Sequence, residues 1–82
     1  MTRGDVETML TAVFARVFGR AVTLRDAMTA QDVEGWDSLT NVRLLDAVER
    51  QFKISLAVSE VMALESVGSL IDTIHGKVAR DA

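Results

Sequence analysis

Apolar residues recur at three- and four-residue steps near the start of the chain, through Val6, Met9, Leu10, Val13, Phe14 and Val17. That is the period of an amphipathic helix. Asp5 and Glu7 stand at its head and Arg16 at its tail, as the helix macrodipole favours, and Gly19 is a natural stop. The pattern predicts a first helix from about Asp5 to Phe18. From Gly19 to Asp37 no period is sustained. This stretch reads as a long loop, anchored to the core by Val22, Leu24, Met28 and Val33, with a short helical turn near Asp26. The helical period returns after Asp37. At about 100° per residue, Leu44, Leu45, Val48 and Phe52 share one arc, with Val42 on its flank. Asp37 is the natural N-cap of this second helix, which begins at Asp37 or Ser38 and reaches about Gln51.

Beyond it, Phe52, Ile54, Leu56 and Val58 alternate as in a strand. No second strand is available to pair with them, so they read as an extended connector with its apolar residues turned inward. Ser59 to Leu64 predicts a short third helix, capped by Ser59, with Val61, Met62 and Leu64 facing the core. Ser66 caps a fourth, whose stripe is Val67, Leu70, Ile71, Ile74 and Val78. Gly68 weakens that helix by about 1 kcal/mol relative to Ala, although it sits in the first turn. The fold class is therefore all-α: a small bundle of three principal helices plus one short helix, with a long first loop, forming one domain over residues 1–82.

Composition narrows the function. The 82 residues are 49% hydrophobic, enough for one core near the lower size limit of a stable domain. The absence of cysteine excludes a disulfide framework, a thiol nucleophile and a thiolate metal site. A net charge of −3 argues against a nucleic-acid partner, which calls for clustered Lys and Arg, and suits docking onto basic protein surfaces. No apolar run approaches the roughly 20 residues that span a bilayer, so membrane insertion is not expected. Met1 to Asp5 leads directly into the amphipathic pattern without a signal-peptide core, so a cytoplasmic location is expected, as a monomer.

Little in the chain suggests catalysis. His75 is the one histidine, with no cysteine and no orienting pair around it, and reads as structural. Asp32, Glu34 and Asp37 cluster without the spacing of a calcium loop, so a plain acidic loop is the better reading and no metal site is assigned. Trp36 is either a core anchor for the loop or part of a contact surface. Core is favoured, because a lone large aromatic in a small domain usually packs. Ser38 stands out: its hydroxyl lies where unpaired N–H groups and the positive end of the macrodipole would stabilise an attached phosphate.

Trp36-Asp37-Ser38-Leu39 heads the run from Gly35 to Phe52. Phe52-Lys53-Ile54-Ser55-Leu56 follows it, and Ser66-Val67-Gly68-Ser69-Leu70-Ile71 opens the last helix. In this order, and after a long first loop, they resemble the acyl carrier protein family. The resemblance implies a carrier and not an enzyme. Ser38 would bear a covalent 4′-phosphopantetheine arm, transferred from coenzyme A by a phosphopantetheinyl transferase. Asp37 would orient the helix start and contact the transferase, and Leu39 would lie at the docking surface. Cargo would ride as a thioester, loaded by a ligase or acyltransferase and passed to downstream enzymes.

The second helix is a recognition element in that family and is often strongly acidic. Here Leu39, Arg43, Asp46 and Arg50 form a stripe beside Ser38 at spacings of four, three and four. The two arginines depart from the acidic pattern and favour a specialised lipid or secondary-metabolite pathway with dedicated partners. The plain alternative is a solvated face with Arg43–Asp46 and Asp46–Arg50 pairs, each worth about 0.2–0.5 kcal/mol. Val61, Met62 and Val67 either border an acyl pocket or belong to the ordinary core, the latter favoured. Two other functions stay open. One is an aminoacyl or peptidyl carrier, against which Asp37-Ser38-Leu39 weighs modestly. The other is an unmodified helical adaptor.

Overall fold

The computed structural model describes residues 1–81, with side chains through Val78. Four α-helices run α1 (Arg3–Phe18), α2 (Ser38–Phe52), α3 (Val58–Met62) and α4 (Val67–Asp81), with a 3-10 turn at Ala30–Asp32. No strand occurs among the described residues, and no helix among them is long and apolar enough to cross a membrane.

The first helix starts two residues earlier than periodicity suggests, because Thr2 and Asp5 close a reciprocal cap. The Thr2 hydroxyl accepts from the Asp5 N–H at 3.1 Å and the Asp5 carboxylate accepts from the Thr2 N–H at 2.9 Å. Gly19 ends it in the left-handed region (φ 72°), as its position foretold. The core combines three helical stripes: Val6, Leu10, Val13 and Phe14 from α1, Leu44, Leu45, Val48 and Phe52 from α2, and Val67, Leu70, Ile71 and Ile74 from α4. α1 packs against both α2 and α4. Arg16 adds a polar tie to α2 by donating to Gln51 Oε1 at 2.8 Å.

The long loop is held by its apolar side chains and by its backbone. Val22, Leu24, Met28 and Val33 are all buried, as the sequence predicts. The helical turn lies at Ala30–Asp32, with a non-helical turn at Asp26 and Ala27. The Met28 and Asp26 carbonyls accept from the Val67 and Gly68 N–H groups at 2.8 and 2.9 Å, satisfying donors that the start of α4 would otherwise leave open. Arg3 binds Asp26 at 2.9 Å and Asp72 at 2.8 Å, joining α1, the loop and α4.

This closeness explains Gly68, which from sequence alone looks like a weak point in α4. A Cβ there would lie 3.0 Å from the Asp26 carbonyl oxygen and 3.1 Å from its Cβ. Gly68→Val should therefore destabilise by ~1–3 kcal/mol through overpacking, although valine is the better helix former. Thermal denaturation of the two chains checks this, and an unchanged melting temperature would mean that the loop yields freely.

Three local expectations need correction. α3 is capped at Ala57, whose N–H donates to Glu60 Oε1 at 2.9 Å, and not at Ser59. Val61 and, just beyond the helix, Leu64 are half-buried as expected, while Met62 faces solvent at 80% exposed. The connector turns in Ile54 and Leu56 only, since Val58 already belongs to α3 and is exposed. Val42 likewise stands clear of the α2 core arc and is 65% exposed.

Candidate functional site

The approach to α2 is shaped by two turns. Gly35 adopts φ 87°, a conformation that side-chain-bearing residues rarely take, and Trp36 N–H donates to the Val33 carbonyl at 3.2 Å. Arg20 donates to the Glu34 carbonyl at 2.8 Å and holds the loop from α1's end. The reversal turns Trp36 back onto the core, where its ring meets Phe14 edge-on at 5.4 Å and Phe18 at 6.1 Å. Trp36 is half-buried, so it anchors the loop while keeping an exposed edge. Its Nε1–H donates to Asn41 Oδ1 at 3.0 Å, which fastens the loop to the first turn of α2.

Asp37 is the N-cap, as the sequence implies. Its carboxylate accepts from the Thr40 N–H at 2.8 Å. That bond, reinforced by contacts with the Asp37 and Leu39 N–H groups, holds the carboxyl below the ordinary carboxylate range. A lowered value stabilises the fold above the ordinary pKa, and the contribution is lost as pH falls through the lowered one. Asp37→Asn keeps a capping oxygen and removes the titration. The melting-temperature loss between neutral pH and pH near 3 should therefore be smaller in Asp37→Asn than in the parent.

Ser38 opens the helix in an exposed position, and its hydroxyl makes no hydrogen bond among the described residues. It lies on the rim of a cleft of about 390 Å³ between the start of α2 and the segment that leads from α3 into α4. The polar lining is Thr29, Asp37, Ser38, Asn41, Glu65 and Ser66. The apolar lining is Ala30, Trp36, Leu45, Val61, Leu64 and Leu70. Val61 thus borders the cleft, whereas Met62 is turned to solvent and Val67 is wholly buried in the core.

Asn41, Thr29 and Glu65 carry no functional mark in the sequence, and Ser66 reads there only as the cap of the last helix. Asn41 was legible in principle, since a residue three places after Ser38 shares its face of the helix. The other three come from distant segments, and no local pattern places them at the cleft.

The stripe on α2 is exposed throughout, at Leu39, Arg43, Asp46 and Arg50. Only one of the two ion pairs forms: Arg50 meets Asp46 at 3.2 Å, while Arg43 makes none among the described residues. The acidic cluster ahead of Ser38 is engaged locally. Asp32 accepts from the Thr29 N–H at 2.9 Å and Asp37 caps α2, and no group of three metal-ligating side chains occurs among the described residues. His75 is half-buried midway along α4 and is not among the residues lining the cleft.

Residues 8–74 match the family described as the phosphopantetheine attachment site. The chain belongs to this family, the acyl carrier proteins. It is similar over 93% of its length to 88% of a holo acyl carrier protein from Geobacter metallireducens solved by NMR, with 34% identity and a TM-score of 0.88. Among curated protein sequences none matches it significantly. The chain is a carrier and not an enzyme, and its cofactor is covalently attached phosphopantetheine. An exposed hydroxyl at the positive end of a 15-residue helix, beside an open cleft, fits such a group.

Proposed function

We propose that Ser38 is the attachment serine and that the chain carries acyl groups between the enzymes of a specialised pathway. The observation that carries this reading is the Ser38 hydroxyl itself, exposed and without a partner among the described residues, at the N-terminus of α2 and on the rim of the cleft. The bound arm supplies a thiol on which an acyl group travels as a thioester. Ser38 Oγ provides the anchoring oxygen. The first turn of α2 stabilises the phosphate through its N–H groups and dipole. Asp37 is directed back to the Thr40 N–H, so it holds the helix start rigid in front of the transferase. The test is incubation with coenzyme A and a broad-specificity phosphopantetheinyl transferase, followed by intact mass and fragment mapping. An adduct on any serine other than Ser38 would overturn the assignment.

Partner enzymes would dock on the face carrying Leu39, Arg43, Asp46 and Arg50. Leu39 and Val42, one turn apart, are 63% and 65% exposed and add apolar surface to it. The unpaired Arg43 is available to an acidic group on a partner. Reversing both arginines removes one exposed ion pair, worth well under ~1 kcal/mol. Arg43→Glu/Arg50→Glu should therefore melt near the parent temperature yet lose loading rate with its own ligase or acyltransferase. The loss should shrink at high salt, because exposed charges act mainly on association. Equal rates for both chains at low and high salt would leave the stripe as solvated surface.

A further inference from the structure

We infer that the cleft beside Ser38 receives a short acyl group bearing a hydroxyl or amino function, in preference to a plain alkyl chain or a carboxylate-ended one. This rests on attachment at Ser38 and names the cargo of that same site.

The first ground is size and lining. About 390 Å³ lies at the small end of ligand pockets, and half of the lining residues are polar. Leu45 and Leu70, at its apolar side, are themselves buried against the core. An alkyl chain gains from entering a cleft only in proportion to the apolar wall it dries. Here it would also strip water from Thr29, Asn41, Glu65 and Ser66 and return no hydrogen bond to them.

The second ground is Asn41. The indole N–H of Trp36 can only donate, so the Asn41 atom facing it at 3.0 Å must be the amide oxygen. This fixes the amide's orientation and leaves its NH2 group without a partner among the described residues, one helical turn from Ser38. The amide thus offers a held donor to a hydroxyl oxygen or an acyl carbonyl. The third ground is charge. Asp37 and Glu65 line the cleft and, among the described residues, no Lys, Arg or His does, so a terminal carboxylate is repelled and an ammonium is accepted. The oxygens of Glu65, Ser66 and Thr29 can receive hydrogen bonds from a cargo O–H or N–H.

A matched terminal-group series tests this. The isotope-labelled chain is loaded by the transferase from coenzyme A analogues, with release of adenosine 3′,5′-bisphosphate, so that its phosphopantetheine arm ends in an amide-linked pentanoyl, γ-hydroxybutyryl, γ-aminobutyryl or succinyl group; these differ chiefly in ending in methyl, hydroxyl, ammonium or carboxylate. Docking is read from the chemical shifts of the Asn41 side-chain amide and the Leu45 methyls, and from the melting temperature. The docked-to-undocked ratio should be about two- to tenfold higher for the hydroxyl and ammonium arms than for methyl, the range that one net hydrogen bond gives. Succinyl should dock least. Asn41→Asp keeps the acceptor for Trp36 and loses the donor. In it the hydroxyl arm should keep less of its advantage over methyl than in the parent, because only its donation to the cleft oxygens remains, while the ammonium arm retains its own. The parent series decides the matter even if that variant folds poorly. Pentanoyl docking as well as γ-hydroxybutyryl, or succinyl as well as γ-aminobutyryl, would overturn the inference and leave attachment at Ser38 intact. No mass gain with any arm would overturn the attachment reading, and this one with it.

Discussion

Ser38→Ala should abolish the mass gain from coenzyme A and transferase while leaving the helical circular dichroism and the melting curve nearly unchanged. The two halves of this result have separate causes. Attachment needs an oxygen nucleophile, and alanine has none, so no slower version of the same bond remains. The fold hardly uses the hydroxyl: Ser38 is exposed, its side chain makes no hydrogen bond among the described residues, and the capping is done by Asp37. Alanine is also the better residue within a helix. The expected change is therefore total in chemistry and within about 0.5 kcal/mol in stability, the usual range for a surface substitution. A modified Ser38→Ala chain would move the arm elsewhere. An unmodified chain that had also lost its helical signal would mean that Ser38 serves the fold, and the loss of the arm would then prove nothing about attachment.

The helices and the place of Ser38 at the start of α2 were legible in the sequence for different reasons. Periodicity marks α1, α2 and α4 because each buries one long stripe, and Gly19 and Asp37 act as stop and cap through backbone chemistry that is local to a few residues. α3 was harder. Five residues carry too little period to fix a face, so Met62 read as core when it is exposed. Gly68 read as a helix defect because its reason lies 42 positions away, in the Asp26 carbonyl. The cleft is the clearest case of what stays hidden. Ser38 and Asn41 share one helical face, but Thr29, Glu65 and Ser66 meet them only through the packing of α4 on the loop. Burying Val22, Leu24, Met28 and Val33 is what brings that loop into place, and the apolar pattern showed the burial without showing the geometry.

Phe14→Ala should cost ~3–5 kcal/mol and loosen the cleft as well as the core. Phe14 is wholly buried in α1, stacks on Phe18 with ring centroids 5.5 Å apart, and meets Trp36 edge-on at 5.4 Å. Truncation leaves a void the size of a ring beneath the loop, lined by the Phe18 and Trp36 side chains that lose their contact. At roughly 0.05–0.15 kcal/mol per residue, a chain of 82 has about 4–12 kcal/mol in all, so the loss is a large share. Phe52→Ala, at the end of α2, removes a similar side chain that is 7% exposed, and the same magnitude applies. The two should differ in what they do to Trp36, the chain's single tryptophan. Only Phe14 touches its ring, so only Phe14→Ala should red-shift its emission below the melting transition, as the indole gains water and its hydrogen bond to Asn41 slackens. Chemical denaturation and fluorescence on the two variants separate these effects. If Phe14→Ala lost stability without any change in Trp36 emission, the aromatic cluster would support the core alone, and the cleft beside Ser38 would owe its shape to the loop backbone.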